Sequence, residues 1–67
     1  MIYIIFKKGK SVEWDELVMF TTYSAVEHYF KQEQDPVSYV VAYEGTDQLI
    51  PVWQYQLIRG RLQRFSL

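Results

Sequence analysis

The sequence predicts a small two-layer α+β domain, one helix packed on a largely antiparallel sheet of four strands with room for a fifth, in the order β-β-α-β-β(-β). Three observations predict it. Val37-Ser-Tyr-Val-Val-Ala-Tyr43 and Leu49-Ile-Pro-Val-Trp-Gln-Tyr55 flank Glu44-Gly-Thr-Asp47, which reads as a β-hairpin. Ser24-Ala-Val-Glu27 has the Ser-x-x-Glu form of a capping box at the head of an amphipathic stretch. No linker, repeat or low-complexity run divides the 67 residues, so the chain is expected to be a single domain over 1–67.

In chain order, Ile2-Tyr-Ile-Ile-Phe6 is rich in β-branched and aromatic residues, and Lys7-Lys-Gly-Lys10 follows with Gly9 able to take the positive φ of a tight turn. A strand and a turn are expected. From Ser11, Val12 and Trp14 alternate with Glu13 and Asp15, and Leu17-Val-Met-Phe20 runs apolar after Asp15-Glu16. This is the pattern of a second strand with an interruption such as a bulge. Trp14, Leu17 and Val18 also fit helical spacing with Ser11 as a cap, so a helix stays open here, although the run Val18 to Tyr23 favours a strand.

The capping box predicts a helix from Ser24 to about Glu33 or Gln34. Val26, Tyr29 and Phe30 fall on one stripe with Ala25 beside it, while Glu27, His28, Lys31 and Gln32 face away. Asp35-Pro36 ends the helix, because the residue before proline is pushed off helical angles. In the hairpin, Tyr39, Val41 and Tyr43 alternate onto one face and Val40 and Ala42 onto the other, so that strand is expected to be interior to the sheet. Pro51 has no N–H to donate and requires an edge or a bulge at its position, which makes Leu49 to Pro51 a lead-in and Val52 to Ile58 the regular strand. Trp53, Tyr55 and Leu57 alternate with Gln54 and Gln56, as on a strand with one dry and one wet face. Arg59-Gly60 would turn the chain into a last short strand, Arg61 to Phe65, although Arg-Gly is not a favoured hairpin pair.

Composition limits what such a domain can do. A chain of 67 residues lies near the lower limit for a single core, and without cysteine its six Tyr, four Phe and two Trp must supply most of the buried area. The missing thiols also exclude thiol catalysis and thiolate metal sites. The apolar run Ile2 to Phe6 is too short to span a membrane and lacks the flanks of a secretory signal, so a soluble, cytoplasmic protein is expected. A net charge of −1 and a pI near 5.7 argue against a chain devoted to wrapping phosphate backbones. The cations are nonetheless grouped: Lys7, Lys8 and Lys10 near the start and Arg59, Arg61 and Arg64 near the end account for six of the seven.

No catalytic constellation is legible. His28, the single histidine, lies on the outer face of the helix without an orienting partner or a nucleophile. Glu13 and Asp15 share a face if their stretch is a strand, but no metal-loop spacing accompanies them and the alternation alone accounts for their exposure. Gly9, Gly45 and Gly60 are isolated turn glycines, not a phosphate cradle. The chain is therefore expected to be neither an enzyme nor a holder of metal or cofactor, with no small-molecule substrate.

What remains is surface. Trp14, Tyr23, Tyr29, Tyr39, Tyr43, Trp53 and Tyr55 exceed what one helix over a small sheet readily hides, and Tyr, Trp and Arg are the side chains enriched at interface hot spots. The expected function is that of a non-catalytic protein-binding module, with Trp53, Tyr55, Arg59, Arg61 and Arg64 as contacts beside an exposed strand edge, and with a partner protein or a second copy as occupant. In type it is similar to small inhibitor or accessory proteins of viruses, phages and bacteria. The alternative is a nucleic-acid binder using Lys7, Lys8, Lys10, Arg59, Arg61 and Arg64, with Phe65 or nearby tyrosines stacking on bases.

Overall fold

The computed structural model describes residues 1–11, 17–33 and 37–67. Its elements are β1 (Ile2–Lys7), β2 (Val18–Phe20), α1 (Tyr23–Gln32), β3 (Ser38–Glu44), β4 (Ile50–Ile58) and β5 (Arg61–Ser66). The five strands form one antiparallel sheet in the order β2-β1-β3-β4-β5. One helix with an antiparallel sheet is the expected class, and the fifth strand forms.

β3 takes the centre of the sheet because it is apolar on both faces, as its sequence requires. One face carries Tyr3 and Ile5 of β1, Val40 and Ala42 of β3 and Tyr55 of β4, all buried, and α1 lays Val26 and Phe30 onto it. The opposite face of the same strands carries Ile4 and Val41, paired across β1 and β3, and the stacked rings of Phe6 and Tyr39 with centroids 5.5 Å apart.

The stretch that could have been strand or helix is a strand at Val18–Phe20, paired with Tyr3 to Ile5 of β1. Val12, Glu13, Trp14, Asp15 and Glu16 lie outside the described residues, as do Gln34 and the Asp35-Pro36 helix stop, so the bulge expected there and the acid pair are not placed.

The helix begins earlier than the capping box implies. Thr22, with extended backbone, is the N-cap, and its hydroxyl accepts from the Ala25 N–H at 3.3 Å. Ser24 instead lies inside the first turn, its hydroxyl 3.5 Å from that of Thr22. Thr22 can do this because either hydroxyl satisfies an unpaired N–H three residues on, and the earlier cap brings Tyr23 into the helix, where its ring reaches Tyr3 and Tyr55.

Pro51 is accommodated by both devices that proline allows. β4 begins at Ile50, two residues before the expected regular part, and the register with β3 shifts between Ala42 and Tyr43, whose partners are Trp53 and Pro51. Val52 is the extra residue, and the bulge turns both Val52 and Trp53 onto the helix-side core. β5 pairs only as far as Trp53, so Pro51 has no strand on its outer side.

Two turns depend on positive φ. Gly45 leaves β3 with φ 121°, and a Cβ there would collide with the Gln48 carbonyl, so no other residue fits. Between β4 and β5, Arg59 (φ 54°) and Gly60 (φ 77°) are both left-handed, as a two-residue type I′ hairpin demands. The disfavoured Arg-Gly pair thus makes the favoured turn, at the expense of an arginine in a conformation that L side chains resist.

Candidate interaction surface

The residues expected to contact a partner separate into three settings. Tyr55 is 8% exposed, its ring packed 5.2 Å from Tyr23 and 6.3 Å from Tyr3, so it belongs to the core and is withdrawn from the contact surface. Even spacing along a half-buried strand directs Trp53, Tyr55 and Leu57 to one face, and that face is the one α1 covers. Trp53 is half-buried at the rim of the same core. The Arg64 guanidinium lies over its ring, 4.1 Å from the centroid, a cation–π contact across the β4–β5 pair.

The arginines do not act as one group. Arg59 sits in the turn, Arg61 opposite Ile58 on the face away from the helix, and Arg64 opposite Tyr55 on the helix side. An interval of three residues along a strand puts Arg61 and Arg64 on opposite faces. The basic groups from the two ends of the chain do converge, however. Lys7 is level with Ser38, the Lys8 N–H donates to the Val37 carbonyl, and the β4–β5 turn closes at this same end of the sheet. Lys7, Lys8, Lys10, Arg59 and Arg61 thus share one end, with β1 and β5 three strand spacings or about 14 Å apart.

Most of the large rings are used internally. Tyr3, Tyr23 and Tyr55 form one cluster, and Phe20, Tyr29 and Phe30 a second with neighbouring centroids 5.6 and 5.3 Å apart. Burial pushes the Tyr3 phenol above its ordinary pKa, with the neighbouring Tyr55 adding to the effect. Tyr23 is raised by burial and then by Glu27, Tyr55 and Tyr3, and Tyr43 by burial and then Tyr39. His28 is exposed on α1, its Nε2 3.2 Å from the Gln32 amide nitrogen. Among the described residues, no three His, Asp or Glu side chains gather as a metal site, and no helix is long and apolar enough to cross a membrane.

The longest edge strand among the described residues is the outer border of the sheet at β5. β5 is an edge strand of six residues, nearly all exposed, and Phe65 is 41% exposed on the face opposite the helix. Its hydrogen-bond phase follows from the turn. In a two-residue hairpin the Ile58 carbonyl accepts from the Arg61 N–H, so Ile58–Arg61 is a hydrogen-bonded pair and the pairs alternate from there. Arg61, Gln63 and Phe65 therefore direct their backbone groups to β4, and Leu62, Arg64 and Ser66 direct theirs away from the sheet. Between α1 and this hairpin runs an open groove of about 360 Å³, floored by Leu57 and Leu62 and rimmed by Glu27, Lys31 and Arg61.

No protein-family model, curated protein or solved structure matches this chain.

Proposed function

We propose that the protein is a non-catalytic interaction module that binds another protein by accepting a strand along β5. The observation that supports this is the edge itself: the outward N–H and C=O groups of Leu62, Arg64 and Ser66 form a template about three residue pairs long, flanked by Arg59, Arg61 and the exposed ring of Phe65. Main-chain bonds would supply affinity and the flanking side chains selectivity. Tyr55 has no part in that surface, and Trp53 contributes by holding Arg64 in place.

A photo-crosslinking residue at Gln63 tests the reading in the cell of origin. It should trap a protein there, whereas the same residue at Gln48, in the loop before β4, should trap none. Substituting Arg64→Pro removes one outward N–H without touching the β4 ladder, and it should abolish the Gln63 adduct. A clean Gln63 probe with no adduct of any kind would sink the reading.

A second reading, nucleic-acid binding, is favoured by the convergence of Lys7, Lys8, Lys10, Arg59 and Arg61 at one end of the sheet. It requires an affinity for single-stranded oligonucleotide that falls steeply with salt, and a flat salt response excludes it.

A further inference from the structure

We infer that the strand accepted by β5 is β5 of a second copy, paired antiparallel about a two-fold axis through Gln63. The inference rests on the reading of β5 as a strand-accepting edge and adds the identity and register of the occupant. Symmetric pairing of a strand with itself permits few registers, because residues that point outward must meet residues that point outward. Centring on Arg64 sets two guanidiniums directly opposite each other, which is destabilising. Centring on Leu62 or Phe65 shortens the overlap. Centring on Gln63 overlaps five residues, as centring on Arg64 does, without opposing like charges: Leu62 lies opposite Arg64 of the second copy and Arg64 opposite its Leu62, both outward pairs with their hydrogen bonds formed.

The side chains of this register are complementary. On the face away from the helix, Arg61 of one copy comes opposite Phe65 of the other, twice, placing a cation beside the most exposed aromatic ring among the described residues. Between these pairs the two Gln63 amides meet on the axis, where each can donate to and accept from the other. On the helix face the Arg64 guanidinium is drawn back over Trp53 of its own chain, so the diagonal Arg64 groups are held apart. β5 carries two cations and no acid, and this register leaves neither cation directly opposite another. The opposite border offers no equal alternative, since β2 is three residues long. A strand edge buries less than the roughly 800 Å² per partner of a standard interface, so the dimer should be weak and concentration-dependent.

The cysteine-free sequence gives a direct test. Gln63→Cys places two thiols across a non-hydrogen-bonded antiparallel pair, close to disulfide spacing. Under mild oxidation most of this variant should run as a reducible dimer, whereas Gln48→Cys and Arg61→Cys should remain largely monomeric. The double variant Arg61→Cys/Phe65→Cys should crosslink, because positions 61 and 65 fall opposite each other in this register. In the unmodified chain, raising concentration should slow hydrogen exchange of the Leu62 and Arg64 amides, while Arg61, Gln63 and Phe65 stay protected throughout. If Gln63→Cys crosslinks no better than Gln48→Cys and the Leu62 and Arg64 amides exchange at a rate independent of concentration, the second copy is excluded. A Gln63 photo-adduct with a different protein would then leave the strand-accepting edge standing and overturn only the self-pairing, and the absence of any adduct would overturn both.

Discussion

The two borders of the sheet are built on different terms. β2 is only three residues long, yet Val18 and Phe20 pack into the core and the Phe20 ring lies 5.6 Å from Tyr29 of the helix. β5 is twice that length and contributes only Leu62 to the same core. Each border leaves one apolar side chain bare on the far face, Met19 at 54% and Phe65 at 41% exposed. The helix layer therefore anchors one edge, and the other is held by its hairpin and its ladder to β4. An edge can be short if a second layer packs on it, but an edge held by backbone bonds alone must be long, and length is what makes it usable by another strand.

The same residue type on the two borders gives the largest predicted contrast. Phe20→Ala removes a half-buried ring that touches the helix and should cost about 2–3 kcal/mol, below the range of about 3–5 for fully buried aromatics. Phe65→Ala should change stability by less than about 0.5 kcal/mol, since the ring has no layer over it. Urea denaturation of both variants measures the difference, and equal losses would mean that β5 is covered by something beyond β4.

The next contrast concerns how β5 is launched. Arg59 holds φ at 54°, where a Cβ is strained and glycine is not, so Arg59→Gly should raise stability by about 1 kcal/mol despite the added freedom of the unfolded chain. Thermal denaturation reads the gain. A loss would show that the Arg59 side chain makes contacts that outweigh the backbone strain.

This turn also marks where the sequence stopped being legible. The central hairpin could be read because alternation on both faces of β3 and the proline of β4 each leave a definite pattern, and Pro51 proved to lie beside a bulge and to have no outer neighbour. The helix could be read in type but not in its first residue, since Thr22 and Ser24 offer the same hydroxyl and only the packing of Tyr23 decides between them. The candidate contact surface was the least legible. Trp53 and Tyr55 look alike as candidates in the sequence, yet the helix and the tyrosine cluster absorb Tyr55 and leave Trp53 at the rim. Which backbone groups stay unpaired has no sequence signal at all, because it depends on hydrogen-bond phase set by a turn whose residue pair is atypical.

A smaller effect is expected at the contact joining β5 to β4 on the helix side. Arg64→Ala removes the guanidinium from Trp53 and should cost about 0.5 kcal/mol, the value for an exposed cation–π pair. Arg64→Lys should retain part of it, and the fluorescence of Trp53 should shift in both variants. If Arg64→Ala leaves the fluorescence unchanged, the two side chains do not meet in solution.

The last contrast is silent at neutral pH and separates the two borders by chemistry instead of packing. Tyr3 and Tyr23 lie on the helix-covered side with folded-state pKa values raised above 10.0, chiefly by burial, and β5 has no tyrosine. A phenol whose pKa is raised on folding favours the neutral form in the folded state. Its stabilising contribution is complete below pH 10 and is lost as the pH rises through the folded value, because the unfolded chain releases its proton first. The contribution of these two phenols should therefore decline above about pH 10. Tyr23→Phe should flatten that decline, since phenylalanine cannot ionise, and Phe65→Ala should leave its slope unaltered. An alkaline slope that changes with Phe65→Ala but not with Tyr23→Phe would show that the buried Tyr23 phenol is not the group that resists ionisation.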